Sequence, residues 1–243
     1  MTDSNFTVRE AWDVPTRLFH WVNFLCIILL SIIGLIMLNK GAVGISGREA
    51  GIGLKTLHVI IGYIFAANLI IRIIWGFLES GYSRWSSLIP GKNYKQELSS
   101  YRASLKSGKP QTFIGHNPMG KLAVMAMLLL LTLMMFTGLI RAGTDIYAPP
   151  FGNIAATYVS AEGVSPYSIK PYDKTGTDAD KLTKLQAFKK PFGVVHVYGA
   201  YLLWILILLH VVAVIRADSG GEGTLISAMF TGKKYLPREP EDQ

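Results

Sequence analysis

The stretch VVHVYGAYLLWILILLHVVAVI, residues 194–215, decides the fold. It has no acidic residue, no Lys and no Arg, and an apolar run of about 18 residues or more can cross a hydrocarbon layer of about 30 Å as a helix. Its two histidines, His196 and His210, are 14 residues apart. That step is close to four helical turns, so both side chains project from nearly the same face, about 21 Å apart along the axis. The stretch therefore predicts a membrane-spanning helix with one histidine near each membrane surface.

Three further stretches are apolar runs of similar length without an acidic residue, and one of them contains a single arginine, Arg72. Charged residues make up 16% of the chain, whereas a soluble domain usually has about 25%. The net charge of +8 lies in the loops that flank the spans, where Lys and Arg face anionic lipid headgroups, so we expect membrane lipid and no nucleic acid as a partner. We expect one all-α domain over residues 1–243, a four-helix transmembrane bundle. Its spans are predicted at about residues 20–38, 56–78, 119–141 and 194–216.

The orientation follows from the charges of the loops. The N-terminus contains Asp3, Glu10 and Asp13 and does not resemble a cleaved signal peptide, so the first span is expected to stay in the mature protein. The short segment 82–117 holds six Lys or Arg against one acidic residue, which favours the cytoplasmic side. Four spans then predict both termini inside and a long outer loop, 142–193, that is either a small cap or a partner-binding element.

The histidines of the other spans match this arrangement in depth. His20 opens the first span on the inner side, and His58 opens the second on the outer side. The last span runs from outside to inside, which makes His196 outer and His210 inner. The spacing therefore predicts two bis-histidine sites, His20 with His210 and His58 with His196.

Two facing imidazoles inside a helical bundle are typical axial ligands of haem iron. Zinc prefers four ligands, usually with Cys or carboxylate among them, and none lies near these positions. A proton pathway would bring Asp or Glu into the spans, and the four predicted spans contain neither. The single cysteine, Cys26, also excludes a covalently attached c-type haem. We therefore predict two non-covalent b haems, while for any one histidine an ordinary packed role stays open.

The same 14-residue step leads from His20 to Gly34 and from His58 to Arg72. Gly34 and Gly62 would leave room for a porphyrin, although small residues also line ordinary helix contacts. Arg72, with isoleucines around it, is predicted to pair with a haem propionate of the inner site, or alternatively to extend toward the inner headgroups.

Two residues near these sites are weaker candidates. Arg17 lies one turn before His20 and could also bind a propionate. His116 lies in a polar turn before Pro118, outside the apolar runs, so we predict a loop or capping role for it.

Taken together, these residues resemble the family of b-type cytochromes that includes bacterial cytochrome b561 and the cytochrome b of membrane nickel–iron hydrogenases. The matching segments are WDVPTRLFHW at 12–21, LH at 57–58 with Gly62, GHNPMG at 115–120, the pair His196 and His210, and LISAMFTGKK at 225–234.

The resemblance implies two haems b on the four histidines and electron transfer between the quinone pool and a periplasmic redox protein, such as a c-type cytochrome or a hydrogenase-like subunit. It also implies a bacterial inner-membrane location. A stand-alone superoxide:quinone oxidoreductase is an alternative, in which cationic outer loops attract an anionic substrate. A non-redox membrane anchor is a third possibility.

Overall fold

A computed structural model describes residues 6–242, and most of this part of the chain is helical. It has eight α-helices, a 3₁₀ turn at Pro166–Ser168 and two short strands. The long helices are α1 (Val14–Leu38), α2 (Arg48–Leu78), α5 (Pro118–Ile146) and α7 (Ala179–Ser219). The short elements are α3 (Trp85–Leu88), α4 (Tyr94–Lys106), α6 (Gly152–Val159), α8 (Leu225–Thr231), β1 (Thr7–Glu10) and β2 (Lys233–Leu236).

The four long helices are long and apolar enough to cross a membrane, which confirms the predicted number of spans within residues 6–242. Many of their apolar side chains are exposed, among them Ile71, Leu129 and Leu208, which are 61%, 66% and 65% exposed. In water such surfaces would aggregate, whereas in a bilayer they contact lipid tails.

All four helices extend beyond the apolar runs that predicted them. The greatest extension is in α7, which has 41 residues and begins 15 residues before residue 194. At 1.5 Å per residue its length is about 61 Å, roughly twice the thickness of the hydrocarbon layer. Part of α7 therefore lies outside the membrane, on the side where the helix begins. The segment that joins α5 to α7, residues 147–178, is shorter than the loop 142–193 drawn from the sequence.

The chain divides into two compact units. The terminal unit takes the chain up to Asn23, Asn68–Leu129 and the chain from Leu203 onward. The central unit takes Phe24–Ala67 and Leu130–Leu202. Two of the four predicted ligand histidines fall in each unit, His20 and His210 in the terminal unit and the other two in the central unit.

In the terminal unit, the two ends of the chain form a small antiparallel sheet. β1 pairs with β2 so that Thr7 lies opposite Leu236 and Glu10 opposite Lys233. Leu236 is fully buried and packs with Ala11 and Ile114. The segments before the first span and after the last therefore lie side by side, and an even number of spans likewise puts them on one side of the membrane.

In the central unit, the segment between α5 and α7 is folded over its own small core. Helix α6 contributes Ala155, Ala156 and Val159, which pack with Ile169 of the segment and Leu185 of α7. An isolated bridge joins Ser160 to Thr177. We call this ordered segment, residues 147–178, the cap between α5 and α7.

Candidate haem sites

The central unit brings His58 of α2 and His196 of α7 together. Their ring centres are 6.3 Å apart and the ring planes are inclined at 74°. Two imidazoles on opposite faces of one metal ion have ring centres roughly 6 Å apart, because a metal–nitrogen bond is about 2 Å and a ring nitrogen lies about 1 Å from its ring centre. The separation of the two rings fits a metal between them, and each ring can rotate about its own metal–nitrogen bond.

The hydroxyl of Thr137, on α5, determines which ring nitrogen of His196 carries the proton. Oγ1 of Thr137 lies 2.8 Å from the carbonyl oxygen of Leu133 and 2.9 Å from Nδ1 of His196. When the hydroxyl donates its only hydrogen to that carbonyl, its oxygen accepts the Nδ1–H of His196. The backbone of Met134 also hydrogen-bonds the ring. This tautomer leaves the lone pair on Nε2, as a metal ligand requires.

His58 has a buried nitrogen with nothing to bond to. Within residues 6–242, no hydrogen-bond partner reaches its Nδ1. A buried polar atom left unpaired costs free energy. Among the described residues, His196 thus has a hydrogen-bonded Nδ1 and His58 an unpaired one, and it is the separation of the two rings that fits a bound metal.

Two glycines, Gly34 and Gly138, lie beside the rings of His58 and His196. A Cβ on Gly34 would lie 3.8 Å from Cε1 of His58, and a Cβ on Gly138 would lie 3.2 Å from Cε1 of His196. The second approach is tighter than ordinary contact, so a larger residue at Gly138 would press on the ring. A Cβ on Gly62 would have no neighbouring atom within 4 Å among the residues that the structure describes. The structure thus places Gly34 beside His58, and it adds Gly138 to the glycines considered from the sequence.

Three cations surround a buried acid in the same unit. Asp145, near the end of α5, forms ion pairs with Lys55 at 2.7 Å, Arg141 at 2.6 Å and Lys189 at 2.8 Å. The sequence predicted no acidic residue inside a span. The apolar run ends near residue 140, whereas the helix continues to Ile146. Asp145 therefore belongs to a helix that can span the membrane.

The terminal unit holds the other predicted pair. His20 and His210 both belong to this unit, and they are close enough for a positive charge on His210 to be felt at His20. The ring of His20 stands edge-on to Trp21, with 5.1 Å between ring centres. Its Nδ1 is buried, and nothing in the described part of the chain hydrogen-bonds it. The pair thus lies together in one unit, with an unpaired imidazole nitrogen like that of His58.

Arg72 is buried within the terminal unit. It is 5% exposed, and its Nη2 donates to the carbonyl oxygen of Ser83 at 2.8 Å. The guanidinium also lies over the rings of Phe19 and Trp85, at 6.0 and 5.6 Å from their centres. Its Nη1 is buried without a hydrogen-bond partner among residues 6–242. One nitrogen of Arg72 therefore remains available to an anion.

Arg17 has a structural contact that the sequence did not suggest. Its Nη1 donates to the carbonyl oxygen of Phe230, in the last turn of α8. An arginine at this end of a helix satisfies an otherwise unpaired carbonyl and interacts favourably with the helix dipole. Its Nε is also buried, and no acceptor for it occurs in residues 6–242.

His116 lies in the terminal unit close to the His20 and His210 pair. Its ring packs on Trp12 with 4.7 Å between centres, and it interacts electrostatically with His210 and Arg72. Burial, and then the nearby Lys234, lowers the pKa of His116 to about 3, so the ring is neutral at pH 7. The helix cap is its neighbour Asn117, whose Oδ1 accepts the backbone N–H of Gly120 at 2.7 Å.

The donor set favours pairs over a metal cluster. Among residues 6–242 no group of three or more His, Cys, Asp or Glu could hold a metal ion. A site with two axial imidazoles needs the remaining bonds from its cofactor, as haem supplies them from the porphyrin.

Comparison with known proteins identifies the family. The model of the family described as prokaryotic cytochrome b561 matches residues 11–232. The chain belongs to this family. It is therefore a multi-pass prokaryotic membrane protein and a b-type cytochrome of electron transport, which implies haem b with its iron.

Individual relatives are distant but align over almost the whole chain. A protein of Cupriavidus necator, named "Probable Ni/Fe-hydrogenase B-type cytochrome subunit", is 26% identical over 229 residues, which cover 91% of this chain and 85% of the relative. A protein of Escherichia coli strain K12, named "Probable Ni/Fe-hydrogenase 1 B-type cytochrome subunit", is 24% identical over 242 residues, 94% of this chain and 91% of the relative. These cytochromes confirm the resemblance drawn from the sequence motifs.

Sequence reasoning missed several residues around His58 and His196. Thr137 and Gly138 form a hydroxyl–glycine pair within the otherwise apolar run of α5, which is a signal for a polar contact facing another helix. Arg141 and Lys189 carried no such signal, because basic residues at the ends of spans usually face headgroups.

Proposed function

We propose that the protein carries two b haems, one held by His58 and His196 and one by His20 and His210, and transfers electrons across the inner membrane. The observation that supports this most directly is the pair His58 and His196, with ring centres 6.3 Å apart. A structural histidine pair would not need this separation, whereas two axial ligands of one metal do.

Haem b supplies reversible one-electron chemistry at its iron. The four imidazoles bind and orient it, and Thr137 holds His196 in the tautomer that can bind a metal. Small residues at Gly34, Gly62 and Gly138 leave room for a porphyrin.

Propionates of the inner haem are assigned to Arg72, with Arg17 as a second candidate. Each guanidinium has one buried nitrogen without a partner in residues 6–242, and a carboxylate would satisfy it.

The proposed orientation has both termini in the cytoplasm. The segment between α2 and α5 is strongly basic and contains α4, which carries Lys95, Arg102 and Lys106. Short basic segments are retained on the cytoplasmic side. The cap between α5 and α7 then faces the periplasm, and His58 and His196 lie toward it.

The proposed electron path joins the membrane quinone pool to a periplasmic redox protein. Relatives named as B-type cytochrome subunits of Ni/Fe-hydrogenases favour a hydrogenase-like partner, and a c-type cytochrome is the other candidate. The alternative of a stand-alone superoxide:quinone oxidoreductase has no support in the family match or in these relatives.

The test is a haem count. In detergent-purified protein, the pyridine haemochrome assay should give about two haems b per chain with low-spin spectra. His58→Ala and His210→Ala should each leave one haem, since each removes an axial ligand of a different pair.

The fifth histidine provides the control. His116 lies beside the proposed inner site but binds no iron in this assignment, so the His116→Ala variant should keep both haems. One haem in the wild type, or loss of both from a single ligand variant, would contradict the two-pair assignment.

A further inference from the structure

The buried acid Asp145 has more positive charge around it than it can balance. Its side chain is 4% exposed, while those of Lys55, Lys189 and Arg141 are 21%, 25% and 34% exposed. Within the part of the chain that the structure describes, Asp145 is the sole carboxylate in an ion pair with any of the three. One carboxylate and three cations leave an excess of two positive charges.

Such an excess is costly in a partly buried site. Cations removed from water need nearby negative charge, and a half-compensated cluster is less stable than a balanced one. The geometry of the cluster is nevertheless tight, with Nζ of Lys55 and Nη2 of Arg141 both on the same oxygen of Asp145. The arrangement therefore holds cations in place for an anion that the described chain does not itself provide.

Helical spacing puts the cluster next to the His58 and His196 pair. Lys55 precedes His58 by three residues on α2, and Lys189 precedes His196 by seven on α7. On α5, Arg141 and Asp145 follow Thr137, the hydrogen-bond partner of His196, by one and two turns. Residues three, four or seven apart share one face of a helix.

Electrostatics supports the same position. Lys55 is close enough to His58, and Arg141 to His196, to repel a positive charge on each ring. All these residues belong to the central unit. The cluster thus lies at one end of the proposed outer haem site, on the three helices that build it.

We propose that Lys55, Arg141 and Lys189, held by Asp145, bind the two propionate carboxylates of the haem on His58 and His196. This inference rests on the proposed function. Two propionates carry two negative charges, which balance the excess of the cluster. Lysine and arginine are the usual donors to such carboxylates, through charge-assisted hydrogen bonds.

A phospholipid phosphate is the other anion that could reach these cations. Propionates are favoured because the cations lie on the same helix faces as the histidines and interact with both rings, whereas a headgroup would require cations that face the lipid.

The test compares Lys55→Gln, Arg141→Gln and Lys189→Gln with Lys190→Gln, a change at the exposed neighbouring residue. Ferric haem release to excess apomyoglobin is followed in neutral, lipid-free detergent, and both haems are titrated for their midpoint potentials.

Each cluster variant should release one haem about tenfold faster, because a charge-assisted hydrogen bond is lost. The midpoint potential of that haem should fall, since less positive charge favours ferric iron.

The second haem reports whether each variant is folded, and its release rate and potential should not change. The effect should persist in the His210→Ala background, which is expected to keep only the outer haem. Cluster variants that behave like Lys190→Gln would overturn the inference. So would an effect seen only in vesicles with anionic lipid, which would assign the cluster to phosphate. A wild-type protein without two haems would instead refute the proposed function.

Discussion

The contact between Thr137 and His196 determines how one of the proposed axial ligands is held. An imidazole can present either nitrogen to a metal, and the hydrogen bond at the other nitrogen selects which one. Because the Thr137 hydroxyl donates to Leu133, its oxygen, 2.9 Å from Nδ1, accepts Nδ1–H, and in the proposed site Nε2 is free for the iron. An acceptor at this position also makes the ligand more electron-rich, which stabilises ferric iron.

Thr137→Val should therefore raise the midpoint potential of one haem, by on the order of tens of millivolts. Valine keeps the shape of threonine but cannot accept the Nδ1–H. An optical redox titration of both haems measures the effect, and the haem count should stay at two.

Thr144→Val is the matched control. Thr144 lies two turns further along α5, and its hydroxyl bonds the carbonyl four residues back, at 2.8 Å, as that of Thr137 does. It should leave both potentials unchanged. Equal shifts of the midpoint potential in the two variants would mean that the potential responds to the loss of any threonine hydroxyl on α5 and not to the hydrogen bond with His196.

At this scale the candidate histidines could be selected from the sequence, whereas the residues around them could not. His196 and His210 stand out because an ionisable residue in an apolar run is unusual and a 14-residue step has a definite geometry. Thr137 and Gly138 lie on α5, which has no histidine to mark its inward face. Their contacts depend on how α5 packs, which periodicity in a largely apolar helix does not reveal.

At the scale of elements, the cap between α5 and α7 has a small hydrophobic core of its own. Val159 of α6 is fully buried among Ala155, Ile169 and Leu185, so the cap is held by apolar contacts rather than by the bilayer. A short segment with so small a core depends strongly on each buried side chain.

Val159→Ala should destabilise the cap by about 2 kcal/mol, because a buried side chain is shortened and a cavity remains. The opened fraction of residues 147–178 should rise roughly 25-fold, and cleavage by an added protease should rise with it. Peptide mapping of the cleavage sites measures this.

Ile154→Ala on the same helix is the control, because Ile154 is 67% exposed. It should be cleaved at the wild-type rate, and both variants should keep their haems. Equal protection of the Val159 variant and the wild type would show that contacts outside this core hold the cap.

The extent of each helix could be predicted less well than its existence. An apolar run marks the part that lies in hydrocarbon, whereas the helix ends where backbone hydrogen bonding ends. In α7 the polar residues 179–193 continue the helix, even through Pro191. In α5 the extension includes Asp145, which the three cations can stabilise only because they converge on it from three different helices.

At the scale of the whole molecule, the proposed orientation rests on the distribution of basic residues. The segment 82–117 is short and strongly basic, while the segment 147–178 contains both charge signs. Retention of positive charge in the cytoplasm acts mainly through short loops. Two positions, Ser107 and Ser165, are exposed in these segments and can report on the two sides.

In a Cys26→Ala background, Ser165→Cys should react with a membrane-impermeant maleimide on intact spheroplasts. Ser107→Cys should react only after the membrane is opened. The background protein without an added cysteine should stay unlabelled in both conditions. The reverse pattern would place the termini in the periplasm and exchange the inner and outer haem sites.

The pairing of β1 with β2 has a consequence for biosynthesis. Thr7 precedes all four long helices in the chain, and its partner Leu236 follows them. Membrane helices are inserted as they emerge, so all four are already made when residues 233–236 leave the ribosome. Strand β1 therefore stays unpaired while the four long helices are synthesised, and this sheet forms only after the last of them has been made.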